Sequence, residues 1–178
     1  LALSVAATPY SGVGGGGFML VHMAERGMSL MLDYRENSPA GAPADLFNLD
    51  DEGNVTGEEN HLGVKAPAVP GTFAGMAMAL EKFGTMTLAQ VARHAVVYGR
   101  DGFAITPFLG WVLGNDIDLA ETKFKRSEEA AKTWLKSDGS GYTTGETFYN
   151  RELADTVEAV ATKGIGEFYE GPVADSAG

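Results

Sequence analysis

The chain contains no cysteine among its 178 residues, which removes disulfides, thiol nucleophiles and thiolate metal sites at once. Long apolar runs are also missing. Spanning a bilayer as a helix takes about 18 or more consecutive apolar residues, and no such window is present. Basic residues are outnumbered: 13 Lys and Arg face 24 Asp and Glu, for a net charge of -11. That field repels duplex nucleic acid and anionic membrane surfaces, so neither is an expected partner. The acidic residues are dispersed, which fits a solvated surface rather than an interaction tail. Histidine is sparse, and His22, His61 and His94 stand far apart, with no His-x-x-x-His pair. A metal site is therefore not expected. Gly-x-Ser-x-Gly is absent, as is any P-loop ending in Lys-Ser or Lys-Thr.

Glycine and apolar residues are plentiful. Hydrophobic residues make up 44% of the chain, enough for a real core, and there are 24 glycines without a collagen-like period. Leu1 to Ala7 reads as a short helical remnant with no start signal and no signal peptide. Residues 1–178 are accordingly expected to form a single partial domain, truncated at both ends. A glycine-rich loop, Ser11 to Gly17, leads into an apolar β-run, Phe18 to Met23. Glu25-Arg26-Gly27 is a turn signal, and Ser29 to Tyr34 is a second strand, so the pair predicts a hairpin. Both strands are apolar at most positions, a pattern of strands covered on both faces. A lone hairpin is rarely stable, so further sheet is expected from elsewhere.

The rest reads as helical. A short helix is expected near Asp45 to Asn48 and a surface turn over Asp51 to Gly57. Phe73, Met76, Ala77, Leu80 and Phe83 repeat at helical spacing, and Gly84 closes that run. Thr87 caps a helix from Leu88 to about Arg100. Thr106-Pro107 opens another, expected to reach about Leu119. Ser127 to Trp134 makes a short helix, Asp138 to Gly145 a loop, Asn150 to Lys163 the clearest helix, and Gly164 its stop. Gly166 to Tyr169 reads as a turn, and Pro172 as the start of a last helix.

Gly12-x-Gly14-x-x-Gly17 fits a dinucleotide fingerprint as a string, with Asp33 downstream. The physics opposes it. The fingerprint needs a strand before and a helix after, because the helix N-terminus holds the pyrophosphate; here the order is reversed. The glycines instead let another segment lie close to the start of the strand. No cofactor is expected. The residue with the most chemical promise is Arg35, in Leu32-Asp33-Tyr34-Arg35-Glu36 at the end of the second strand. Its planar fork suits a carboxylate held by two hydrogen bonds. The alternative is an ion pair with Asp33 or Glu36 or a plain surface arginine. Asp33 and Glu36 form a candidate acid/base pair, against the plainer reading that they brace Arg35 and the loop. No residue in the chain stands out as a nucleophile.

Five ordered blocks resemble the γ-glutamyltranspeptidase family: Ser11 to Leu20, Leu32 to Glu36, Val69 to Gly75 (Phe73 where valine is usual), Arg100 to Phe103, and Gly166 to Gly171. The resemblance covers essentially the whole chain. It implies an α+β fold that is part of an αββα sandwich of the N-terminal-nucleophile hydrolase kind, this chain supplying a β-hairpin and then a mainly helical layer. It implies a precursor that cleaves itself, with a threonine nucleophile at the start of a small subunit, so that no catalytic residue lies in this chain. It implies that Arg35 holds the α-carboxylate of a γ-glutamyl donor such as glutathione, with water, an amino acid or a peptide as acceptor. The expected protein partner is the small subunit, and the expected compartment is the periplasm or the exterior. A glutaryl-cephalosporin acylase, a poly-γ-glutamate-processing enzyme and a non-catalytic fragment are the competing readings.

Overall fold

The computed structural model describes residues 1–115 and 123–177. Two short helices, α1 (Ala2–Ala6) and α2 (Thr8–Ser11), lead into the glycine loop. Strands β1 (Phe18–Met23) and β2 (Met28–Asp33) follow and pair antiparallel, with Phe18 opposite Asp33 and Leu20 opposite Met31. Gly27 turns the ribbon at a positive φ of 56°, a conformation that side chains with a Cβ adopt reluctantly.

Burial alternates along both strands. One face packs towards the helices. The other carries Phe18, Leu20 and Met31 at 56%, 77% and 62% exposure. Among the described residues, the two-sided cover expected from composition is thus supplied on one face only. The expected helix at Asp45 to Asn48 is also absent. Leu49 bridges Val55 instead, and the Asp50 carboxylate accepts the N–H groups of Glu52 and Asn54 at 3.0 and 2.8 Å. Those bonds, the Asn54 one foremost, hold the Asp50 carboxyl below its usual range. An aspartate gathering backbone donors stabilises a turn at the expense of a helix.

Beyond this loop the helices follow their sequence signals, except that Gly166 to Tyr169, expected as a turn, closes into one helical turn through Glu170 N–H donating to the Gly166 carbonyl at 2.8 Å. They are α3 (Thr72–Phe83) and α4 (Leu88–Asp101), then strand β3 (Phe103–Ala104) and α5 (Pro107–Asn115). The expected continuation of α5 over 116–119 lies outside the described residues. After it come α6 (Glu128–Trp134), strand β4 (Thr147–Phe148), α7 (Arg151–Lys163), α8 (Gly166–Tyr169) and α9 (Pro172–Ala177). Thr87 and Gln90 form a reciprocal cap on α4, satisfying two donors that a helix start leaves free. Asn150 caps α7 by accepting from Leu153 N–H at 3.0 Å.

Two cores result. In the first, α4 and α7 pack through Ala92, Ala95, Val157 and Val160, all at most 1% exposed, against Val5, Val13 and Phe73. The second core has no periodic signature in the sequence. Strands β3 and β4 pair antiparallel and place Phe148, fully buried, among Ile105, Leu109 and Leu113. Trp134 stacks on Phe148 at 5.1 Å, and Tyr142 meets its edge at 5.1 Å. The first core sets α3 and the glycine loop beside the end of β2.

Candidate functional site

The site is built where three chain segments meet. Past β2, Tyr34 and Gly17 exchange backbone bonds, Tyr34 N–H donating to the Gly17 carbonyl at 2.9 Å and Gly17 N–H to the Tyr34 carbonyl at 3.2 Å. The third segment is the start of α3. Gly71 N–H, Thr72 N–H and the Thr72 hydroxyl all donate to the Gly15 carbonyl, at 3.0, 3.1 and 2.8 Å. Thr72 is 4% exposed. Three donors on one oxygen fix the glycine loop against the helix start.

The chain around Arg35 is gripped closely. A Cβ on Gly16 would collide with the Tyr34 carbonyl and lie 2.8 Å from Glu36 N. A Cβ on Gly71 would also collide with the Tyr34 carbonyl and lie 3.2 Å from the Arg35 carbonyl. At Gly75 a Cβ would strike the Tyr34 ring. Glycine at these positions is what lets three backbones meet, as expected of the glycine loop. The dinucleotide reading has no support in this geometry: α2 precedes the loop and β1 follows it.

Arg35 sits on this braced backbone. Its N–H donates to Asp33 Oδ1 at 3.0 Å. Its side chain is 59% exposed, and NH1 lies 3.3 Å from Glu36 Oε2. That oxygen is buried and accepts no hydrogen bond from the described residues, so the contact is an ion pair without hydrogen-bond alignment. Of the two carboxylates, Asp33 braces the Arg35 backbone and Glu36 faces its side chain. The plainer reading of them as braces fits this geometry better than an acid/base pair.

Arg35 and Glu36 line one wall of an open cleft of about 590 Å³, with Tyr10, Ser11, Gly15 and Thr72 around it. A guanidinium has five N–H donors, and the ion pair engages NH1. A second cavity, about 270 Å³, lies on another side of the same residue, lined by Tyr34, Arg35, Pro70, Gly71 and Tyr169. His22, His61 and His94 are all exposed on separate elements, and His22 Nδ1 lies 2.8 Å from Ser29 Oγ. Among the described residues, no three His, Asp or Glu side chains gather as a metal site would require.

Sequence reasoning missed three contributors. Thr72 was legible only as the first residue of a helix after Pro70-Gly71. Tyr10 lines the cleft and packs on Phe108 at 5.1 Å between ring centroids. Tyr169, read as part of a turn, donates its hydroxyl proton to the Pro70 carbonyl at 2.8 Å and accepts from Ala74 N–H at 3.3 Å. Burial pushes its phenol pKa up, and the Ala74 bond opposes that. The Arg100 to Phe103 block is structural: Arg100 clasps Asp155 and Glu158 of α7, with hydrogen bonds as short as 2.6 Å.

The fold is one solved before. The chain superposes on the crystal structure of Helicobacter pylori gamma-glutamyltranspeptidase with a TM-score of 0.90 at 34% identity, over 99% of this chain and 49% of that one. This is part of the N-terminal-nucleophile hydrolase class of α+β folds. The family described as gamma-glutamyltranspeptidase matches residues 1–177, and the chain belongs to it. The glutathione hydrolase proenzyme of Escherichia coli K12 is 34% identical over 174 residues, which span 98% of this chain and 29% of that relative. The acylase ACY 1 proenzyme of Pseudomonas sp. V22 is 31% identical over 96% of this chain and 30% of its own length. The chain thus spans less than a third of the curated relatives it matches.

Proposed function

We propose that this chain is the donor-holding part of a γ-glutamyltransferase and glutathione hydrolase, and that Arg35 grips the α-carboxylate of the γ-glutamyl group. The observation that carries the reading is the Arg35 side chain, more than half exposed in a cleft wall while its backbone is clamped by Gly16 and Gly71. A fixed backbone aims the fork, and a fork gives a carboxylate two charge-assisted hydrogen bonds. Gripping that end orients the γ-carbonyl for attack.

The nucleophile is a threonine at the start of a small subunit cut from the same precursor. Its hydroxyl oxygen attacks the γ-carbonyl while its own amine, or a water, takes the proton. The amine of the leaving peptide departs protonated, and a γ-glutamyl ester remains. Water or the amine of an amino acid or peptide then releases the group. This chain contributes no catalytic residue and is inactive alone. The bare ribbon face with Phe18, Leu20 and Met31 is where the rest of the αββα sandwich packs. The assembled enzyme works in the periplasm or outside the cell. The match to an acylase proenzyme favours one second reading, an acylase that takes a glutaryl group by the same carboxylate.

The test is Arg35→Ala in the complete protein. Donor binding weakens by about 2–5 kcal/mol, the range for one partner removed from a desolvated charge pair. Arg35→Lys rescues little, since an ammonium lacks the fork. Donor KM and kcat that do not change in either variant refute the role. Turnover of a glutaryl donor with no turnover of a γ-glutamyl one selects the acylase reading.

A further inference from the structure

We propose that Tyr169 is a positioning residue for donor binding: its hydroxyl locks the start of α3 against the Arg35 backbone and so sets the aim of the guanidinium. This rests on the donor-holding role of Arg35. The hydroxyl bridges two points on either side of the helix start, donating to the Pro70 carbonyl at 2.8 Å and accepting from Ala74 N–H at 3.3 Å. The Ala74 N–H is one of the first-turn donors that a helix cannot satisfy itself. Gly71 lies between those two points, and it is the residue pressed against the Tyr34 and Arg35 carbonyls. Val69, just before, exchanges backbone bonds with Asn37, just after Arg35, at 2.8 and 3.2 Å. The segment on each side of Arg35 is therefore tied to the Val69–Ala74 stretch, and the Tyr169 hydroxyl ties that stretch in turn.

Packing alone leaves this tie unmade. The Tyr169 ring is held by Phe168, whose ring lies 5.0 Å away and which also meets Phe73 at 4.9 Å. Tyr169→Phe keeps that aromatic stack and removes only the bridge. The Pro70 carbonyl and Ala74 N–H then lose a half-buried partner, and the Gly71 wedge loosens behind Arg35.

The experiment compares Tyr169→Phe in the complete protein with Phe168→Leu, which loosens the same stack but leaves the bridge. Both are made in the native and the Arg35→Lys backgrounds. Steady-state kinetics on a γ-glutamyl anilide and thermal unfolding are read for each. Tyr169→Phe raises donor KM roughly three- to tenfold with kcat within about twofold, and adds nothing in the Arg35→Lys background, because coupled residues are not additive. Phe168→Leu lowers the unfolding midpoint without raising KM. An unchanged KM in Tyr169→Phe overturns the proposal. So does an equal rise in both backgrounds, or a KM rise that merely follows loss of stability in the two variants alike. If Arg35→Lys itself leaves KM unchanged, the donor-holding reading fails first and this one with it.

Discussion

The α4–α7 layer and the β1–β2 ribbon use apolar residues in opposite ways. Along α4 and α7 the apolar face finds its partner inside the chain, and Ala95, Ala154, Val157 and Val160 have no exposed surface. On the ribbon the outer face mixes Phe18, Leu20 and Met31 with His22, Ser29 and Asp33, and its apolar residues stay bare, with Leu20 77% exposed. Each region also carries an arginine. Arg100 has its Nε, NH1 and NH2 groups all bonded to Asp155 or Glu158. Arg35 has one unaligned ion pair and a cleft in front of it. Where burial and hydrogen bonding are complete, the residues explain a fold. Where they are incomplete at a fixed backbone, the structure leaves room for a ligand or another part of the protein.

Breaking the closed side gives the largest effect. Phe148 is fully buried and touches three aromatic rings. Phe148→Ala removes that contact and leaves a cavity, so it costs about 3–5 kcal/mol. Denaturant unfolding checks this, with the midpoint lowered and the slope unchanged. The open side gives a smaller and conditional effect. In the complete protein Leu20→Asn costs about 1.5–3 kcal/mol, the value of a leucine removed from water. In this chain alone the same change stays within about 0.5 kcal/mol, as for an exposed site. Equal effects in both settings would erase the contrast between the two regions.

Local signals made most of the fold legible. Thr87 with Gln90, Asn150, and the terminating Gly84 and Gly164 mark helix ends by chemistry that acts within one turn. Non-local pairing was hidden. Strands β3 and β4 have two residues each, too few to show a period, and they exist because they meet. The expected helix at Asp45 to Asn48 failed because Asp50 and the Leu49–Val55 bridge favour a turn. The same division holds at the site. Its place at a strand end made Arg35 a candidate beside the plainer reading of an ion-paired or surface arginine, and only the family resemblance implied a role for it. Its supports could not be singled out, because the Tyr169 hydroxyl reaches a carbonyl 99 residues earlier in the chain, and no spacing rule spans that distance.

Arg100 sharpens the comparison at its smallest scale. Its clasp on Asp155 and Glu158 engages the fork in four hydrogen bonds, yet all three side chains reach solvent. The two carboxylates hold its guanidinium protonated even more firmly than usual, Glu158 most of all. Exposed pairs contribute little because water screens them. Arg100→Gln therefore lowers the unfolding midpoint only slightly, and the gap from the native protein narrows as salt rises. Donor KM stays as it was, since the clasp joins two helices whose apolar faces already hold them together. Arg35→Ala, on the bare side, does the reverse: a large loss of donor binding with little change in stability. Two arginines of one chain, measured side by side in thermal unfolding and in donor kinetics, thus test whether a fork saturated by its own fold and a fork facing an open cleft do different work.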